Sequence, residues 1–358
     1  MKRRFFLKTI GGVAGGVAVG IAPDFGQAEP VVRIDKNMPK RALGRTGLTV
    51  SIVGYSGLAL REDTQERCTA AIHQAFDRGV NYYDVAPAYA DGVCENKMGI
   101  ALQGLDRTAF HLACKTKMRD REGCQMELER SLSRLKTDYF DVYQLHHLVQ
   151  PADVRKALGP GGAMEAILKA KEKGQVRLIG FSAHTTKAAL EAMRLFQFDT
   201  VMFPINFVEY YTRDFGKAVL EKAKEQGAAV LSIKVMHAGA PKPGEKLTHP
   251  WWYRALEDQD EVNMAWRFSL SLPGVVTGFA PAYLDLVEKA ITAGQAFRPA
   301  TEVDREKLQA MAAGQGSIFK REEDSVVTGK IYQPPYPHRP HEADPELWAY
   351  HDSPEHHS

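Results

Sequence analysis

Four polar side chains fall where short apolar runs end, and together they offer proton transfer: a carboxylate (Asp84), a phenol (Tyr89), an ammonium (Lys115) and an imidazole (His146). Residues 79–84 read as a strand after a helical segment ending at Gly79. Pro87, Asp91 and Gly92 break the chain behind it. Asp84 and Tyr89 therefore project from one strand end. Lys115 closes the run FHLACK and His146 closes YFDVYQLH, again at strand ends. Asp84, Lys115 and His146 follow one another at intervals of 31 residues, close to the roughly 30 that one βαβ unit needs. A parallel barrel carries its chemistry at the C-terminal ends of its strands, which makes these four candidates for a single site. A lysine pointing into a barrel mouth is costly without a partner, and Asp84 is the obvious one.

The remaining apolar runs count out an eight-fold barrel. VRLIGFS (176–182), DTVMFPINF (199–207), AAVLSIK (228–234) and GVVTGF (274–279) read as strands five to eight. Amphipathic stretches separate them, such as 213–226, where Phe215, Val219, Leu220 and Ala223 fall near helical spacing. Alternating β and α segments point to a parallel sheet. Their span, from about 40 to about 295, fits the roughly 250 residues of an α/β (β/α)8 TIM barrel. No GxGxxG follows the first strand, which argues against a two-domain dinucleotide fold.

The chain resembles the aldo-keto reductases. ALGRTGLTVSIVGYSG (42–57) looks like that family's first strand. GVNYYDVAPAYADGVCENKMGIAL looks like its second strand and following helix, and HLACKTK like its third strand; DYFDVYQLHHL and KEKGQVRLIGFSAH complete the match. The resemblance implies reduction of an aldehyde or ketone, a small carbonyl substrate, and NADP or NAD as the cofactor that supplies hydride, which no side chain can. A phenol has an ordinary pKa of about 10, so Tyr89 as acid needs a cation to stabilise its phenolate. Lys115 is that cation in this reading, Asp84 holds it, and His146 orients the carbonyl oxygen. A non-catalytic barrel that binds a dinucleotide or carbonyl ligand, as sensor or partner subunit, is the competing reading.

The resemblance also assigns cofactor contacts to Ser182, to Lys234 in the strand-seven loop, and to Gly278 on strand eight. The family's Ser-Asn pair after strand five is Ser182-Ala183 here, and its strand-six Gln falls at Met202. TGFAPAYLDLVEK, after strand eight, lacks the Lys and Arg that grip a 2′-phosphate early in that segment, so a preference for NADPH is not expected.

Residues 1–28 read as a twin-arginine export signal. Arg3 and Arg4 precede FFLK, a Gly/Ala-rich apolar stretch and GQA before Glu29, with cleavage expected after Ala28. The stretch is short of the roughly 20 apolar residues of a membrane span, so stable membrane insertion is not expected. The export machinery is then a partner and the periplasm the destination. Residues 29–40 read as a linker, 41–298 as the barrel, and 299–358 as a helix, EVDREKLQAMAA, with an irregular Pro- and His-rich tail.

The chain carries a formal charge of +2; residues 1–28 contribute +3 of it, leaving −1 on the remainder. DREGCQMELERSLSRLK reads as a solvated amphipathic helix, and no one-sided basic face for nucleic acid emerges. Cys68, Cys94, Cys114 and Cys124 include no CxxC, and no His lies at ligand spacing to them, so no metal site is expected. Cys68 and Cys124 read as core residues, and Cys94 as a loop residue beside the site. The tail places His338, His341, His351, His356, His357, Trp348 and Tyr350 after the helix, the last two being candidates to fold back over the barrel mouth.

Overall fold

The computed structural model describes residues 37–242 and 244–328. The expected export signal, the expected linker up to residue 36 and the tail with its histidines, Trp348 and Tyr350 lie outside the described residues.

The segment that reads as a first strand is divided in two by a turn. Strands β1 (Lys40–Ala42) and β2 (Thr49–Ser51) form an antiparallel hairpin, and only then does β3 (Val53–Ser56) enter the barrel. Gly44 makes the turn possible, with a φ of 57° and the carbonyl oxygen of Gly227 only 2.7 Å from where a Cβ would stand. Leu43 and Val50 of this hairpin join the apolar cluster inside the barrel and close its floor.

The barrel then alternates as the pattern predicts. After β3 come α1 (Gln65–Asp77), β4 (Tyr82–Asp84), α2 (Val93–Ala101), β5 (His111–Thr116), α3 (Arg121–Leu135) and β6 (Phe140–Leu148). Next are α4 (Pro151–Leu158), α5 (Ala163–Glu172), β7 (Val176–Ala183), α6 (Thr186–Leu195) and β8 (Thr200–Pro204). The circuit closes through α7 (Phe207–Arg213), α8 (Lys217–Gln226), β9 (Ala229–Ile233), α9 (Gln259–Leu270), β10 (Val275–Phe279) and α10 (Leu284–Gln295). Strands β3 to β10 form a closed parallel barrel in the order β10-β3-β4-β5-β6-β7-β8-β9, the (β/α)8 architecture expected. Two helices extend it, α11 (Glu302–Ala312) and α12 (Lys320–Thr328).

Side chains alternate across each strand. Tyr82, Ala113, Val142 and Met202 point inward and fill the barrel, while Tyr83, Cys114, Tyr143 and Val201 pack the helical layer. The same alternation carries Asp84, Lys115 and Gln144 to the inside. In register, Asp84 lies beside Ala113 and Lys115 beside Gln144, so each chemistry-bearing position stands one inward-facing step above that of the preceding strand.

Local chemistry fixes the helix starts. Thr64, Asp120, Thr185, Asn206 and Asp258 each accept a backbone N–H from the first turn of the helix that follows. Thr301 and Asp304 form a reciprocal capping box on α11. The stretch from Arg213 to Gln226 is not one helix. Asp214 and Gly216 both take positive φ, ending α7 and starting α8 at Lys217, and Phe215 is buried in the break rather than on a helical face.

Candidate active site

Inside the mouth of the barrel, Lys115 Nζ donates to Asp84 Oδ1, to the carbonyl of Val85 at 3.2 Å and to the Tyr89 hydroxyl at 3.2 Å. The second carboxylate oxygen of Asp84 accepts from Gln144 Nε2 at 2.9 Å. The His146 ring stands edge-on to Tyr89, with centroids 5.6 Å apart. Asp84, Tyr89, Lys115 and His146, predicted from three separate stretches, are therefore brought together. Gln144 was missed by the sequence reading, although it sits two residues before His146 on the same inward face.

All of these groups are buried, and burial dominates their electrostatics. It opposes the charge on Lys115, but Asp84 and Tyr89 outweigh it and hold the ammonium above its ordinary pKa. Burial pushes the Asp84 carboxyl up, while Lys115 and Gln144 pull it back. The lysine side of this balance fixes the pair as ionic, with Lys115 protonated. Tyr89 departs from the expectation of a phenol eased towards ionisation. Burial raises its pKa to about 12 even though Lys115 lowers it, so the group keeps its proton at neutral pH.

Strand β6 carries a register irregularity between Leu145 and Leu148, and His147 within it has a φ of 56°. Bulges of this kind re-aim side chains beside sites. Arg119 pins the bulge, donating to the carbonyls of His146 at 2.8 Å and His147 at 3.4 Å, and His147 N–H donates to Ser182 Oγ at 2.8 Å. Ser182 thus reaches the site as a backbone anchor, its hydroxyl proton still available to a ligand.

The cleft above these groups opens to solvent. Met202, Ile233, Lys234 and Trp251 form much of its wall. The loop after β9 straps across the mouth: Tyr283 donates to the carbonyl of Pro250 at 2.7 Å, and Arg61 lies 4.8 Å from the Trp251 ring centroid. The aromatic run Trp251-Trp252-Tyr253 was visible in the sequence but was not assigned to the site.

Lys234 lines the cleft from a left-handed backbone position with a φ of 59°, its Nζ 5.4 Å from the Trp252 ring centroid. Burial brings its pKa down to about 7, with Lys115 pushing it further down and Glu322 pulling it up. Gly278 stands apart from the cleft. Its N–H donates to the carbonyl of Ile52 at 3.0 Å, and a Cβ there would meet the Trp266 ring at 2.7 Å; its neighbours Phe279 and Ala280 line the cleft instead. Cys94 is not a loop residue: it is buried in α2, where desolvation pushes its thiol up to about 12. Cys68 and Cys124 are buried as expected, and all four cysteines are free.

The fold is that of the aldo-keto reductases. The sequence model of the Aldo/keto reductase family matches residues 53–269, and the chain belongs to that family. It is 27% identical over 213 residues to L-galactose dehydrogenase of Arabidopsis thaliana, a match that spans 56% of this chain and 66%, just under two thirds, of that enzyme. Its fold is that of an aldo-keto reductase from Bacillus halodurans in its holo form, with a TM-score of 0.61 and 23% identity over 79% of this chain and 99% of the other. An aldo-keto reductase of Klebsiella pneumoniae, solved in complex with NADPH, superposes with a TM-score of 0.58 and 21% identity over 77% of this chain and 96% of its own.

The family uses NADP or NAD. One wall of the cleft suits an anionic dinucleotide, because Lys234 lines it and burial disfavours the charge that an anion beside it would restore. It offers less at the nicotinamide end, where Met202 and Ala183 supply no side-chain partner for a carboxamide. No described helix is long and apolar enough to cross a membrane.

Proposed function

We propose that the chain reduces an aldehyde or ketone with NAD(P)H, with Tyr89 as the general acid. The observation that carries this reading is the 3.2 Å contact between Lys115 Nζ and the Tyr89 oxygen, backed by the Asp84 carboxylate. A dinucleotide held in the cleft would supply hydride to the carbonyl carbon. Tyr89 gives its proton to the carbonyl oxygen, and Lys115 stabilises the phenolate left behind. Asp84 and Gln144 hold Lys115 in place, so no reorganisation accompanies the charge change. His146, against the edge of Tyr89, orients the oxygen towards that proton. Lys234 would meet the diphosphate of such a cofactor and Ser182 its nicotinamide side. Gly278 would assist only by letting β10 pack closely, with its neighbours Phe279 and Ala280 lining the cleft. Tyr89 is protonated at neutral pH, and because burial raises its pKa, proton transfer relies on Lys115, the group that lowers it.

Consumption of reduced nicotinamide with a panel of small aldehydes and ketones tests the reading. Turnover that depends on Tyr89 supports it, and tight dinucleotide binding without turnover on any carbonyl would favour the sensor or partner-subunit role instead.

We further propose that residues 1–28 direct export through the twin-arginine machinery to the periplasm after folding in the cytoplasm. Arg3-Arg4, the apolar stretch and the small residues before Glu29 support this. Replacing both arginines by lysine and fractionating cells tests it: the variant is expected to stay cytoplasmic, and unchanged export would contradict the assignment.

A further inference from the structure

We infer that His147, His184 and Glu322 form a binding site for a divalent cation of the zinc class in the wall of the proposed catalytic cleft. The three residues come from β6, the residue following β7, and α12, and one donor atom from each lies within 4.8 Å of the other two. Two imidazoles and a carboxylate are a known three-ligand set for zinc with an open fourth position. No spacing in the sequence reveals it, because the ligands are far apart along the chain and the carboxylate arrives on a helix without an apolar period.

The elements that carry the three residues are each fixed in place. The bulge bearing His147 is fixed by Ser182 and Arg119. His184 N–H donates to the carbonyl of Leu148 at 3.0 Å, and its ring lies 4.3 Å from that of His147 and 5.5 Å from that of Phe319. Helix α12 is docked by Glu323, which accepts from the N–H of Thr186 at the start of α6. Phe319, just before the helix, stacks on Phe215 at 5.2 Å with an interplanar angle of 7°. Glu322 is thereby delivered to His184, with Oε2 3.8 Å from Nδ1. Zinc bonds of about 2.0–2.2 Å place neighbouring ligand atoms roughly 3.3 Å apart, so this pair needs to close by only about 0.5 Å. His147 and His184 also line the cleft that holds Tyr89 and His146. An oxygen donor on a substrate, a carboxylate or hydroxyl beside the carbonyl, is the chemistry an open coordination position there would take.

Titration of the metal-stripped full-length chain with zinc ions by calorimetry tests the inference, with His184→Ala and Glu322→Gln compared at the same pH. The parent is expected to bind one equivalent that His184→Ala abolishes and Glu322→Gln weakens at least 10-fold. Glu322 is partly exposed, so its variant serves if His184→Ala does not fold. Absence of zinc binding by the folded parent, or binding unchanged in Glu322→Gln and lost only when the tail histidines from His338 to His357 are replaced, would overturn it.

Discussion

Gln144 and Lys115 divide the carboxylate of Asp84 between them, Gln144 Nε2 holding Oδ2 at 2.9 Å while Lys115 holds Oδ1. Asp84→Asn removes the negative charge beside a buried ammonium, and breaking a buried pair from one side costs about 3–5 kcal/mol. Gln144→Leu leaves the pair intact and deprives one oxygen of a donor, a loss of about 1–3 kcal/mol. Urea unfolding of both variants checks the order. Equal losses would mean that Gln144, not the ion pair, holds the site.

Tyr89 sits with its pKa at about 12 because burial outweighs Lys115. An acid with a raised pKa stays protonated to higher pH, so reduction should show no phenol limb below about pH 10, the ordinary tyrosine value. Lys115→Met removes the cation that lowers this pKa. The phenol is then pushed higher still, and turnover falls because the phenolate left after proton transfer is unsupported. Rate profiles taken across the alkaline range decide the matter, and a limb near pH 8 in the parent would contradict this ordering of effects.

Lys234 has its pKa brought down to about 7 by burial. Between pH 7 and its ordinary value of about 10.4, the unfolded chain carries a proton that the folded chain lacks, so this group makes stability rise with pH across that window. Lys234→Met should flatten the rise. If the diphosphate of the dinucleotide meets Lys234, binding restores the charge and takes up as much as one proton near pH 8. Calorimetry in buffers of different ionisation enthalpy measures that uptake, and its absence would place the diphosphate elsewhere.

Asp285, in the first turn of α10, accepts from His249 at 2.9 Å. No Lys or Arg occurs from Thr277 to Leu286, although a 2′-phosphate is gripped best by such groups. The expected outcome is weak discrimination or a lean towards NADH. Dissociation constants at matched salt test it, and a preference for NADPH above about 100-fold, near 2.7 kcal/mol, would require a basic group such as Lys289 to reach back.

The barrel was legible because its strands are short apolar runs separated by amphipathic helical stretches. Tyr82 and Asp84, Ala113 and Lys115, and Val142 and Gln144 fall on one face by period alone, and the 31-residue interval brings neighbouring strand ends together. What the sequence hid has no period. The hairpin before β3 depends on a backbone turn at Gly44, and the break between α7 and α8 depends on two positive-φ residues, Asp214 and Gly216, within a continuous helical pattern. Helix α12 reads as a polar run, KREEDSVVT, and docks through Glu323 and the preceding Phe319. His147 is aimed by a bulge that no alternation rule anticipates.

The central claim is that Tyr89 gives the proton. Tyr89→Phe keeps the buried ring against His146 and removes only the hydroxyl that Lys115 contacts at 3.2 Å. Steady-state reduction of any carbonyl the parent accepts should fall by at least about 100-fold, the lower end of what a general acid contributes, while dinucleotide affinity stays within about two-fold. Full turnover in the variant would contradict the account.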